Sequence, residues 1–107
     1  MARPAYVADL PGGTATTSVQ IQANDTIKFI QLSMVAAAAG SVEVSLSGSS
    51  QIGTAQPTAD VICRMRLSAT AAQIVMLAPV NVPVKAFQTV YIHQTGAGNV
   101  GEVNLLT

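Results

Sequence analysis

Short segments in which apolar and polar side chains alternate return about every ten residues along this chain, separated by turns rich in Gly, Pro, Asn, Ser and Ala. Extended backbone puts successive side chains on opposite faces, so each segment can bury one face and show the other. In residues 60–68, Val61, Cys63, Met65 and Leu67 alternate with Ile62, Arg64, Arg66 and Ser68. The apolar row requires a second layer to pack against. The other row carries two of the chain's five basic residues, two positions apart.

The same reading extends along the chain. Val19 and Ile21 alternate with Ser18, Gln20 and Gln22, and Asn24-Asp25 turns the chain into 27–35, which is apolar on both faces and reads as a central strand. The alanines at 36–39 are too few to nucleate a helix and join Gly40 as a connection. Val42, Val44 and Leu46 alternate with Glu43, Ser45 and Ser47, and 47–59 reads as a long polar loop open to external contact. After 60–68, residues 69–71 predict a tight connection into 72–77, where Pro79 is expected to interrupt. A further strand over 80–85 contains Pro83, which lacks an amide donor and so marks an edge or a bulge. Strands over 88–95 and 100–106 close the chain.

These segments predict an all-β fold: a single-domain, jelly-roll-like β-sandwich of about seven or eight strands over 17–107. Residues 1–16 hold two prolines and a Pro-Gly-Gly turn without a sustained period, which predicts an N-terminal arm. Tyr6, Val7 and Leu10 are apolar enough to dock that arm, either on its own domain or on a neighbouring subunit.

Composition narrows the function classes. Charged residues are 9% of the chain against about a quarter in typical soluble domains, and five positive side chains balance five negative ones. A surface so poor in charge favours association, which suggests a protein that works inside an assembly. No basic stripe offers itself to nucleic acid. The uncharged run 67–84 contains two prolines and several polar residues, which argues against a membrane span. No secretory signal is visible at the N-terminus, and the lone Cys63 cannot form an intrachain disulfide, so folding in a reducing cytoplasm is expected.

No catalytic, metal or cofactor site is expected. Residues 96–101, Gly-Ala-Gly-Asn-Val-Gly, have the spacing of a dinucleotide-binding loop, but the residues after them alternate like a strand instead of opening a helix, so a turn is expected. Cys63, His93 and Asp60 are the residue types of a nucleophile, a base and an orienting group, yet Cys63 falls in phase with the core row. One His and one Cys cannot close a zinc site, and His93 reads as a surface or interface residue. Asn24-Asp25-Thr26 fits a glycosylation sequon and reads as a turn. Arg64 and Arg66 are the leading interface candidates, able to pair with carboxylates on a partner; the alternative is an ordinary solvated face. Glu43 and Glu102 fall on outward faces and are possible partners within or between subunits.

From Thr26 to Leu106 the order of these segments resembles the small β-sandwich proteins that decorate, or cement, the capsids of tailed bacteriophages. The resemblance rests on the apolar strand 27–35, the Ala-Gly connection, the alternating 42–46, Gln73-Ile74-Val75-Met76-Leu77, the proline-marked 79–85, and Val90-Tyr91-Ile92-His93 before a glycine-bearing last turn. Where related sequences often carry a turn glycine before the penultimate strand, this chain has Ala86-Phe87-Gln88. Where they carry an Asp-Gly turn after the third strand, it has Ser47-Gly48-Ser49-Ser50. The resemblance implies a non-enzymatic virion protein, made in the host cytoplasm, that sits as a homotrimer on the capsid exterior and bridges subunits of the major capsid protein. Arg64, Arg66, Tyr6 and Leu10 are the candidate contacts from the residues themselves. A tail or fibre module recognising a host glycan is the alternative, with Tyr6, Phe29, Phe87 and Tyr91 as the available aromatics.

Overall fold

The structure, a computed structural model, describes residues 4–53, 60–68 and 72–107. The expected 69–71 connection, the end of the 47–59 loop at 54–59, and residues 1–3 lie outside the described residues. Eight strands form two four-stranded antiparallel sheets: β1 (Pro4–Leu10), β2 (Ala15–Gln20), β3 (Asp25–Ala36), β4 (Gly40–Ser45), β5 (Val61–Leu67), β6 (Ala72–Val84), β7 (Thr89–Gln94) and β8 (Val100–Leu106). The first sheet has the order β1-β8-β3-β6 and the second β2-β7-β4-β5. β1 pairs with β8, β2 with β7, β3 with β6 and β4 with β5. The chain is therefore one long hairpin, doubled back at the β4–β5 loop and rolled up, with β3·β8 and β4·β7 pairings closing the roll. That topology is a jelly roll, and the all-β sandwich expected from the alternation is the fold.

The core lies between the sheets and is aliphatic. Ile30, Leu32 and Met34 of β3 and Val103 and Leu105 of β8 face Val42 and Val44 of β4, Met65 and Leu67 of β5, and Val90 and Ile92 of β7. Burying each such side chain contributes roughly 1.5–3 kcal/mol relative to exposure. Alternation within β3 and β8 is what puts these residues on one face.

Several expectations are corrected. The described part of the expected 1–16 arm is not an arm: Pro4–Leu10 is an edge strand of the first sheet, in register with β8 from Pro4↔Leu106 to Leu10↔Gly101. Its alternation is masked in the sequence because a small residue, Ala8, points inward while an apolar one, Val7, points outward. Pro79 does not interrupt: 72–84 is one strand, at the edge of the sheet. Its register with β3 shifts where Ile27 meets Val82 and Phe29 meets Pro79, so Val80 and Asn81 lie opposite the single residue Lys28. Pro79 flanks the bulge and Pro83 pairs with Thr26, and the edge position of the strand accommodates both without cost to a central ladder. A third correction, the burial of His93, belongs to the second sheet and is taken up with its neighbours below.

At one end of the sandwich the 96–101 segment is a turn into β8, as its glycines suggest. Asn99, fully buried, ties that turn to the β3–β4 connection: its Oδ1 accepts from the amides of Ala37 (2.7 Å) and Ala38 (2.9 Å), and its Nδ2 donates to the Ala38 carbonyl (2.9 Å). Gln94 donates from Nε2 to the Asn99 carbonyl and accepts from the Gly12 amide, drawing in the β1–β2 turn. Gly96, at φ 111°, lies too close to the Asn99 amide group for a side chain to fit. The opposite end holds the β6–β7 turn, where Phe87 adopts φ 70° with its amide bonded to the Ile21 carbonyl.

Candidate interface surfaces

The four candidate contact residues do not share a surface. Leu10 is 3% exposed and belongs to the protein's own core, so it is no interface residue. Tyr6 packs against that core, and its hydroxyl accepts a hydrogen bond from the Gln22 amide at 3.0 Å. Among the described side chains of β1, Val7 is the apolar one that faces solvent.

Arg64 and Arg66 stand on the outer face of the second sheet, and their fates differ. Arg64 is opposite Glu43 in the β4·β5 register and donates from Nε to Glu43 Oε2 at 3.2 Å. Glu43 is outward-facing by alternation yet 0% exposed, because the chain after β4 folds back over it. The Gln51 amide donates to Glu43 Oε1 at 3.0 Å, while the Gln51 carbonyl accepts from Arg64 Nη2. Arg64 is therefore committed within the molecule. A buried carboxylate needs such a partner, since an uncompensated buried charge is costly. Arg66 remains exposed, opposite Ser41. With Arg64 it lines a cleft of about 380 Å³ whose apolar walls include Ile52, Leu67 and Ala39.

The same returning loop buries His93, correcting the expectation of a surface histidine. His93 is 1% exposed and lies between Thr16 and Glu43 in the register of β2, β7 and β4. Its Nε2 donates to the Ser47 carbonyl at 2.9 Å, because a carbonyl can only accept. In the neutral ring Nδ1 then accepts from the Thr16 hydroxyl at 2.8 Å. Tyr91 stacks alongside, its ring nearly parallel to the imidazole, and Gly48 lies over the Tyr91 ring. Both imidazole nitrogens are occupied within the molecule. Sequence reasoning missed this polar row of Thr16, His93, Glu43 and Arg64; two serines and a glycine at 47–49, small enough to lie flat on a sheet, are the local signal for it.

Cys63 and His93 are not brought together. Cys63 sits opposite Val44, packs against the core, and its thiol is pushed up to about 11 by burial, partly offset by a hydrogen bond involving the Val44 backbone. His93 is on the other face of that sheet. Among the described residues no three of His, Cys, Asp and Glu are grouped to hold a metal ion.

The outer face of the first sheet carries the exposed aliphatics. Cross-strand register places Val7, Asn104, Gln31 and Leu77 in one row, Asp9, Glu102, Ser33 and Val75 in the next, and Val100, Val35 and Gln73 in a third. Val75 and Leu77 are 61% and 57% exposed, and Val7, Val35 and Val100 are exposed as well. Single exposed aliphatics are ordinary, but Val35, Val75, Leu77 and Val100 are neighbours in the register on one face, the kind of grouping that marks contact surfaces. β6, which bears two of them, has no charged residue to guard its edge. Neither the known protein families nor the curated proteins contain a match to this chain.

Proposed function

We propose that this protein is a non-enzymatic virion component that decorates a tailed-phage capsid and stabilises it by bridging major shell subunits. The observation that carries the reading is a jelly roll whose charged residues are only 9% of the chain, a surface poorly defended against association. Burial of such a surface stabilises by about 25 cal/mol per Å² of apolar area. Repeated over the many copies of a shell, contacts that are individually weak add to a large effect. Capsids lacking the protein test this: purified protein is expected to co-sediment with them and raise the temperature at which they open. Shells that neither bind it nor gain thermal resistance would overturn the proposal.

A glycan-binding tail or fibre module is the second reading, favoured by Phe87, which is 74% exposed at the tip of the β6–β7 turn. Tyr6, Phe29 and Tyr91 are each partly covered, so one open ring is what the described aromatics offer a sugar. A glycan array on the purified protein separates the two readings.

A further inference from the structure

The outer face of the first sheet sets two carboxylates side by side. Asp9 and Glu102 are register partners, exposed, and point to the same side. Like charges directly opposite each other on a sheet destabilise it. Beside Glu102 is a depression of about 350 Å³, lined by Ser33, Val35, Gln73, Val100 and Gly101. The surface thus carries two carboxylates on the same face as the exposed aliphatics.

The complement of that surface is present on the same molecule. Arg66 projects from β5, exposed, at the rim of the cleft whose walls are Ile52, Leu67 and Ala39. We propose that the outer face of the first sheet is a self-association surface that receives Arg66 of a second copy, its guanidinium set against Glu102 and Asp9 and its aliphatic walls against Val35, Val75 and Leu77. Arginine suits the role because its planar fork can engage a carboxylate bidentately while its stem packs on apolar surface. Pairing also relieves the like-charge contact that each copy carries alone. The two surfaces lie on the outer faces of opposite sheets, so one contact uses a different patch from each copy. Such a head-to-tail joint builds a closed ring if the rotation closes and an open chain if it does not.

The joint rests on the two surfaces and not on the shell reading. Sedimentation velocity of the whole chain at about 100 μM, without capsids, is the test. Wild type is expected as an oligomer, R66E and E102R each with an apparent dissociation constant raised at least about tenfold, and the R66E/E102R double variant and an equimolar mixture of the two single variants as oligomers again. Far-UV circular dichroism confirms that each variant is folded. A monomeric wild type, a folded E102R that assembles like wild type, or a double variant that stays apart would overturn the joint. Self-association with no capsid binding sinks the shell reading alone, and capsid binding by a strict monomer sinks the joint alone.

Discussion

Phe87 holds a backbone conformation that side chains rarely accept. At φ 70° its Cβ is crowded by its own backbone, at a cost of roughly 1–2 kcal/mol for an L residue. Its ring is exposed and returns little of that through packing. Replacing it with glycine relieves the strain, while glycine's freer unfolded chain gives part of the gain back. F87G is expected to raise stability by about 0.5–1 kcal/mol in urea denaturation, and a fall would show that the ring is held by the fold. The strain sits at a position read from the sequence only as a missing turn glycine, since φ is invisible in a side-chain pattern.

Cys63 connects burial to pH. Its thiol is raised from 9.0 to about 11 in the folded protein, chiefly by desolvation. The unfolded chain therefore loses this proton at lower pH than the folded one. Stability from Cys63 is fully present below pH 9.0 and is lost as pH rises towards about 11. The loss is on the order of 2 kcal/mol, which C63A is expected to remove from the pH dependence of the urea midpoint. Reaction with a thiol reagent at pH 8 is expected to be slow until the protein unfolds.

At the scale of elements, the segment after β4 decides what the second sheet exposes. It covers His93, closes Glu43 from solvent and leaves Arg64 as the cation facing that carboxylate. R64A strands a buried charge and is expected to cost about 3 kcal/mol. Replacing both partners by leucine is expected to cost less than R64A alone, and a double-mutant cycle measured by urea denaturation gives the coupling. Additive losses would mean that the pair is decoration on an otherwise stable loop. The alternation of β4 and β5 made both residues outward-facing in the sequence. That they meet depends on the Glu43↔Arg64 register, which the sequence does not display.

At the scale of the molecule, the rolled hairpin brings together segments from opposite ends of the chain. β1 lies beside β8, and the Gly12 amide reaches Gln94. This pairing makes Pro4–Leu10 a strand although its own pattern is weak, and turns a proline-rich terminus into an edge. It also assembles the aliphatic face from β1, β3, β6 and β8. No single segment contains enough of that patch to be noticed.

The sequence by itself determined the class of fold, the inward rows of β4 and β5, the turn at 96–101 and the core-facing side of Cys63. Each comes from period-two alternation or from local turn chemistry, which act within a few residues. Only the tertiary structure decided that Leu10 is core, that β6 runs through Pro79, that Arg64 is engaged while Arg66 is exposed, and that Asp9 and Glu102 share a row. These depend on register between strands far apart in the chain. Register is set by the joint packing of both sheets, so it exists only once the whole sandwich does.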